Sequence, residues 1–154
     1  MALIDLQPLS DPEPDEKLEK KYAGLAELVA ALRQKELAAN TEQQVNEHLQ
    51  AINQSELRGK DLRKEVGRTR SRILRLVEKE EKLVPKNHHR DQWMALGMSV
   101  FGIPMGIAFG ASLDNYAFLG IGLPMGMAIG LAVGSSMDKK AEQEGRQLPV
   151  TSNV

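Results

Sequence analysis

Residues 102–110 read GIPMGIAFG and residues 122–130 read GLPMGMAIG, so one nine-residue pattern recurs at an offset of twenty positions. Glycine returns every fourth position in both copies, and a spacing of four returns to nearly the same side of an α-helix. The pattern therefore predicts two helices, each with a flat face of small residues. The glycines predicted to pack helix against helix are Gly102, Gly106, Gly110, Gly122, Gly126, Gly130 and Gly134.

Both copies lie inside long stretches without charge. Trp93–Leu113 has 21 such residues and Tyr116–Met137 has 22. At the rise of an α-helix each stretch reaches about 31 to 33 Å, and a hydrocarbon core is about 30 Å thick. Only Asp114 and Asn115 separate them, and both residue types favour turns. We therefore predict a transmembrane hairpin over residues 93–137, with spans 93–113 and 116–137 and a turn at 114–115.

Lipid tails compete with leucine for apolar contact, so membrane helices associate where small residues let their backbones approach closely. Pro104 and Pro124 lie at equivalent depths, where a kink is tolerable inside a membrane bundle. The alternative is a buried hairpin of a soluble protein, but a chain of 154 residues has too little other apolar surface to cover two such helices.

Basic residues flank the spans, whereas the connecting turn carries only Asp114. They are Lys82, Lys86 and Arg90 before the first span and Lys139, Lys140 and Arg146 after the second. Cytoplasmic flanks carry such an excess, so both termini are predicted to be cytoplasmic. Trp93 and Tyr116 are predicted to lie at opposite interfaces.

The region before the hairpin is predicted to be helical, so the fold class is all-α. Residues 1–14 contain three prolines among acids and are predicted to be a flexible acidic lead-in, and Asp15 or Ser10 is a candidate helix cap. Residues 15–84 form a cytoplasmic region of amphipathic or coiled-coil helices, with breaks expected at 40–41 and 53–55. Residues 85–92 are a juxtamembrane linker and residues 138–154 a polar tail.

Apolar residues in this region alternate spacings of four and three. They are Leu18, Tyr22, Leu25, Val29 and Leu32, then Val45, Leu49 and Ile52, then Leu62, Val66, Thr69, Ile73, Leu76, Glu80 and Leu83, with Thr69 and Glu80 as polar members. Stretches of about three heptads pair either within one chain or between chains, and both arrangements remain open.

A basic belt precedes the hairpin, since residues 54–92 hold seven acids and twelve bases. Six members are candidate contacts for anionic lipid head groups: Arg63, Lys64, Arg68, Arg70, Arg72 and Arg75. A solvated face paired with nearby glutamates accounts for the belt equally well. Nucleic acid ranks third, because the belt has no aromatic residues for stacking on bases.

The residues of common catalytic and cofactor motifs are missing. The chain has no cysteine, and Gly120-x-Gly122 fails as a dinucleotide fingerprint because position 125 is methionine. His88, His89 and Asp91 are too close along the chain to converge easily on one metal ion. We therefore predict a non-enzymatic protein without cofactor or metal.

Three features together resemble the small bacterial membrane proteins called glycine zipper family proteins. They are the repeated Gly-x-Pro-Met-Gly pattern, the exit Ser-Ser-Met-Asp-Lys-Lys-Ala at residues 135–141 and the segment Glu-Gly-Arg-Gln at residues 144–147. The resemblance covers about residues 93–148. It implies a packed, oligomeric helix hairpin in a bacterial inner (cytoplasmic) membrane and supplies no activity.

Two functions are compatible with these patterns. In the first, the hairpin packs and oligomerises, or binds another membrane subunit, while the heptad helices recruit a cytoplasmic protein. In the second, glycine-lined helices form a small oligomeric pore that permeabilises the membrane. No charged residue lies within the spans to mark an ion route, and this disfavours the pore.

Overall fold

A computed structural model of the protein, describing residues 2–9, 15–115 and 119–151, is mostly helical, as the sequence predicts. The elements in chain order are α1 (Glu16–Arg33), α2 (Ala39–Asn53), α3 (Gly59–Glu81), β1 (Val84–Lys86), α4 (His88–Leu96), a π-helical turn (Gly97–Gly102), α5 (Ile103–Ser112), α6 (Leu119–Gln143) and β2 (Gln147–Thr151). The chain divides into two compact units. The helical unit is Met1–Pro85 with Leu148–Val154, and the hairpin unit is Lys86–Gln147.

The first three helices pack around one apolar core within the chain. Asp15 caps α1, since its carboxylate accepts a hydrogen bond from the Leu18 amide at 2.6 Å. The core takes Leu18, Leu25, Leu28, Val29 and Leu32 from α1, Val45, Leu49 and Ile52 from α2, and Leu62, Val66, Ile73 and Val77 from α3. The predicted apolar stripes are therefore buried against each other inside one chain.

The buried stripe of α3 drifts away from the predicted heptad register. Thr69 and Ile73 are buried as predicted, but the next buried residue is Val77, whereas Leu76 is only half-buried and Glu80 is exposed. A straight α-helix rotates by about 20° per heptad relative to a strict seven-residue repeat. From Leu62 to Leu76, two heptads, the drift is about 40° and turns Leu76 away from the core, whereas Val77 follows Ile73 by four residues and stays on the buried face.

One of the two predicted helix breaks is misplaced. Helix α2 ends at Asn53 as expected, but Thr41 lies inside α2 with its side chain buried. The chain instead leaves α1 after Arg33, and the amides of Gln34 and Lys35 close on the carbonyls of Ala31 and Leu32. A threonine that faces a core is tolerated in a helix, so Asn40-Thr41 did not mark an end.

The prediction of a flexible lead-in is wrong for residues 2–9, which we call the strap. The strap is an extended segment whose Leu3 is buried and whose amides and carbonyls bond to side chains of the helical unit. Pro8 disfavours a helix through this segment but leaves an extended chain free to bond to side chains of other elements. Ser10, the other proposed cap, lies outside the described residues.

The linker and polar-tail predictions also differ from the structure. Residues 85–92 contain the end of β1 and the first turn of α4, and α6 continues to Gln143 before β2 begins at Gln147. Strands β1 and β2 pair in a two-stranded sheet, and Leu148 and Val150 join the core of the helical unit. Charged residues mark where an apolar stretch stops, which need not be where a helix stops.

Arg70 is the buried cation of the helical unit, with 6% of its surface exposed. Its guanidinium donates to the carbonyl of Gly24 on α1 at 3.4 Å and to the carbonyl of Thr151 on β2. Desolvation lowers the pKa of Arg70, and the charge of Glu27 opposes that shift. Arg70 therefore ties the returning strand to the helices.

Replacing Arg70 with methionine keeps an unbranched apolar stem and removes the guanidinium with its hydrogen bonds to the carbonyls of Gly24 and Thr151. We expect the helical unit to lose about 1–3 kcal/mol of unfolding free energy, because polar groups around a buried position lose their partner. Hydrogen exchange of residues 147–151 should accelerate. The control is Arg68→Met, at a position whose side chain is 66% exposed, and equal exchange in both variants would contradict the assignment.

Candidate functional site: the seam between the apolar helices

The hairpin unit contains two long apolar helices, and the first of them ends at a turn that includes Asp114. Helix α4, the π-helical turn and α5 run without interruption over His88–Ser112, and this helix and Gly120–Gln143 are each long and apolar enough to cross a membrane. Asp114 adopts the left-handed conformation, and the amide of Asn115 donates to the carbonyl of Gly110. This closure is typical of a helix C-terminus. The predicted interfacial Tyr116 lies outside the described residues.

The two helices touch backbone to backbone at glycines, along a contact that we call the seam. A Cβ atom built on Gly126 would lie 2.3 Å from the carbonyl oxygen of Gly97 and 2.4 Å from the amide nitrogen of Gly102. A Cβ on Gly122 would lie 2.3 Å from the carbonyl oxygen of Gly102 and 2.5 Å from the nitrogen of Gly106. Real Cβ atoms do not come this close to backbone, so no other residue fits there without separating the helices.

Further along, the seam continues toward the open end of the hairpin. A Cβ on Gly130 would meet the carbonyl oxygen of Trp93 at 2.0 Å, and one on Gly134 would meet the Cα of Arg90 at 2.5 Å. Gly110, the remaining predicted glycine, is buried on α5. The structure thus brings the predicted glycines of α6 against the first helix of the same hairpin.

Gly97 is a seam residue that the sequence pattern missed. It precedes Gly102 by five positions, which would turn it about 140° away in a regular α-helix at 100° per residue. The π-helical turn Gly97–Gly102, in which the amide of Ile103 bonds to the carbonyl of Met98, brings Gly97 back to the seam. Pro104 follows directly and lacks an amide hydrogen, so the regular bond to residue 100 cannot form. Pro104 is the feature of the sequence that could have predicted the π-helical turn.

Asp138 extends the seam by one more position, since it follows Gly134 by four residues. Its buried carboxylate accepts hydrogen bonds from the amides of His89 and Arg90, each at 3.0 Å. Asn87 adopts a left-handed conformation before α4 and makes no capping bond with its own side chain. Asp138 therefore caps the first helix from the second and fixes the register of the pair.

The outward faces of the same helices remain exposed and apolar. Their exposed large side chains include Val100, Phe101, Ile103, Ile107, Phe109, Leu113, Ile121, Leu123, Met125, Met127, Ile129, Leu131 and Val133. Pro104 and Pro124 face outward as well. The seam buries little except glycine, so nearly all of the large apolar side chains of the hairpin unit face its surroundings.

The predicted basic residues divide into an exposed set and a set with internal roles. Lys64, Arg68, Arg72 and Arg75 are exposed on α3, on the side opposite its buried stripe. Arg70 is buried, so its assignment to lipid contact is wrong. Arg63 is half-buried and pairs with Asp15, the α1 cap, at 2.7 Å.

Several of the exposed bases have acidic neighbours on their own helix. Glu65 lies 3.2 Å from Arg72 and 3.6 Å from Arg68, and Asp61 lies 3.8 Å from Lys64. Such exposed pairs contribute little to stability, because water screens them and both side chains lose freedom. Helix α3 nevertheless keeps an excess of bases over acids, so the exposed face is positive.

The histidines at the start of α4 do not gather a ligand set. The rings of His88 and His89 meet edge to face with centroids 5.3 Å apart, and His88 bonds to Gln92. Across residues 2–9, 15–115 and 119–151, no group of three or more histidine, cysteine, aspartate or glutamate side chains is placed to hold a metal ion.

No protein-family model, curated protein or solved structure matches this chain. The residues and contacts described above therefore carry the functional argument.

Gly126→Ala and Gly120→Ala form a matched pair on one helix, because a Cβ on Gly120 would meet nothing within 4 Å. Gly126→Ala should destabilise the hairpin by about 1–3 kcal/mol or more, since the methyl group would overlap backbone. Gly120→Ala should be neutral or stabilise α6 by about 0.5–1 kcal/mol. Fluorescence of Trp93, the single tryptophan, during titration with a denaturing detergent reports the difference. Equal midpoints for both variants would refute the seam.

Asp138→Ala should release the start of α4 without unfolding the whole hairpin. Loss of a buried cap costs about 1–2 kcal/mol, and the two amides that it served lose their acceptor. Hydrogen exchange at His89 and Arg90 should therefore accelerate selectively. Glu142→Ala, on an exposed position of the same helix, is the control and should leave both amides protected.

Proposed function

We propose that the protein is a membrane-anchored, non-enzymatic interaction protein. Its hairpin inserts in the bilayer as a glycine-zipper pair, and its helical unit recruits another protein at the cytoplasmic surface. The observation that carries the proposal is the inside-out arrangement of the hairpin unit, with glycine at the seam and large apolar side chains outside.

The outward apolar faces favour lipid as their surroundings. Removing a Val, Leu, Ile, Phe or Met side chain from water yields about 1.5–3 kcal/mol, and many such side chains of the hairpin unit are more than a third exposed. Water is a costly environment for that surface and lipid a favourable one. Both segments are helical, so most of their backbone groups bond within the helix, as the hydrocarbon core demands, and the carbonyls opposite Pro104 and Pro124 are the exceptions.

The seam supports the proposal that the two helices form a glycine-zipper pair. In lipid, helices gain little by burying leucine against leucine, and close backbone contact is the main source of association. Because the seam glycines of α6 already contact the first helix, a homo-oligomer or a second membrane subunit would have to use the outward faces. The resemblance to glycine zipper family proteins agrees with the packed pair and leaves the number of copies open.

The flanking charges support an orientation with both termini in the cytoplasm of a bacterial cell and the hairpin in the inner membrane. The exposed bases Lys64, Arg68, Arg72 and Arg75 would then share a compartment with anionic head groups, which attract each base near the surface with about 1 kcal/mol. We propose lipid contact for these four residues and retain Arg63 and Arg70 as structural cations.

A small pore is the second function that the sequence allowed, and no contact in the described residues favours it. The hydroxyl of Ser99 donates to the carbonyls of Ala95 and Leu96 on its own helix instead of offering a polar lining. Release of an entrapped dye from liposomes that contain the purified chain would revive this function.

Cysteine labelling tests the membrane proposal without a background, because the chain contains no cysteine. We expect a membrane-impermeant maleimide to label Asn115→Cys, in the turn, on intact bacterial cells. Gln54→Cys, on an exposed position of the helical unit, should react only after the inner membrane is opened. The protein should also stay in the membrane during alkaline carbonate extraction.

Complete extraction by carbonate would show that the hairpin does not span the bilayer and would defeat the proposal. Labelling of Gln54→Cys but not Asn115→Cys on intact cells would retain the anchor and reverse the orientation. Each variant replaces an exposed residue, and unchanged helicity by circular dichroism is the control for folding.

A further inference from the structure

Two asparagine side chains hold the strap by its backbone. The Asn46 amide accepts from the Ile4 nitrogen at 2.9 Å and donates to the Ala2 carbonyl at 3.3 Å. The Asn53 amide accepts from the Gln7 nitrogen at 2.9 Å and donates to the Asp5 carbonyl at 2.9 Å. Each asparagine therefore bonds to the carbonyl before and to the amide after one strap residue. We call these two central residues, Leu3 and Leu6, the gripped residues.

The spacing of the two asparagines matches the repeat of an extended chain. Asn46 and Asn53 are seven residues apart on α2, which places them on one face with a separation along the axis of about 10.5 Å. The gripped residues, Leu3 and Leu6, are three apart, and three residues of extended chain also cover about 10 Å. This match depends on the backbone, so an extended peptide of another sequence can satisfy it if it has an amide hydrogen after each gripped residue.

Two side chains of α1 donate to further backbone carbonyls of the strap. The guanidinium of Arg33 donates to the carbonyls of Leu3 and Ile4, at 3.2 Å and 3.1 Å, and pairs with Asp5 at 2.5 Å. The hydroxyl of Tyr22 donates to the carbonyl of Gln7. Leu3 is buried, and Ile4, Leu6 and Leu9 pack partly buried against the core.

We propose that the surface formed by Tyr22, Arg33, Asn46 and Asn53 is a binding groove for an extended peptide of a partner protein, which the strap occupies in the free chain. The proposal rests on the recruitment role suggested above and names the class of partner. The ligand carries apolar residues three positions apart, an acid beside Arg33 and a residue other than proline after each gripped position, since the amides there must donate.

The strap is an internal competitor for such a peptide. A segment in the same chain has an effective concentration on the order of millimolar, so an added peptide binds in proportion to the fraction of time that the strap is released. Weakening the strap should therefore strengthen binding of the peptide. A strap that stays in the groove after the substitution would give no such gain.

The test uses the full chain in mild detergent and a fluorescein-labelled synthetic peptide, ALIDLQPL, with the sequence of residues 2–9. Fluorescence anisotropy should give a Kd about tenfold lower for Leu3→Asp than for the natural chain. Adding Asn46→Ala to Leu3→Asp should raise the Kd about tenfold, the value of two lost hydrogen bonds. Asn40→Ala, an exposed asparagine on the same helix, should leave it within about twofold.

A second peptide separates backbone recognition from apolar adhesion. In the Ile4→Pro peptide, residue 4 has no amide hydrogen to donate to the Asn46 side chain, but it remains apolar. Binding of this peptide should therefore fall to background. If Leu3→Asp loses helicity by circular dichroism, the same series is run with Leu6→Ala, at a partly buried position.

Three outcomes would overturn the proposal. Equal affinity for the natural chain and both strap variants would make the strap a fixed element of the fold. Binding that survives Asn46→Ala would place the peptide elsewhere. A natural chain that is dimeric, and becomes monomeric with Leu3→Asp, would assign the groove to the strap of a second copy. None of these results depends on cysteine labelling, so the anchor and the groove succeed or fail separately.

Discussion

The contact between two peptide backbones at the seam is the constraint on which the hairpin unit depends. A methyl group at Gly126 would come within 2.3 Å of the opposing helix, so this approach requires glycine. Once side chains are removed from the contact, the apolar residues of both helices must point outward. The π-helical turn and the cap from Asp138 serve the same contact, because one realigns Gly97 and the other fixes the register at the open end.

The spacing of residues along the sequence was sufficient to predict which faces of the helices pack. The rows of glycine and the core stripes of α1 and α2 could be predicted from the sequence, because spacings of three and four place residues on one helix face. Gly97 was missed since its spacing of five reaches the seam only through a π-helical turn. Val77 was missed because a straight helix drifts from the heptad register, and Asp138 because its charge marked it as part of a tail.

Pairing between distant segments explains the remaining errors. The strap was predicted to be flexible, yet its partners Asn46 and Asn53 lie more than forty residues away along the chain. Arg70 was assigned to lipid, yet its partner Thr151 lies 81 residues away. No window along the sequence contains both members of such a pair, and polar residues on a helix surface look alike whether they face water or another segment.

The return of β2 to the core of the helical unit links the completion of that unit to the synthesis of the two apolar helices. Residues 148–151 are translated after both apolar helices, yet Leu148 and Val150 fill the core and Thr151 receives Arg70. The three amphipathic helices leave the ribosome first and must wait with an incomplete core while the hairpin is made. The apolar core of the helical unit is therefore completed last, only after both apolar helices have been synthesised.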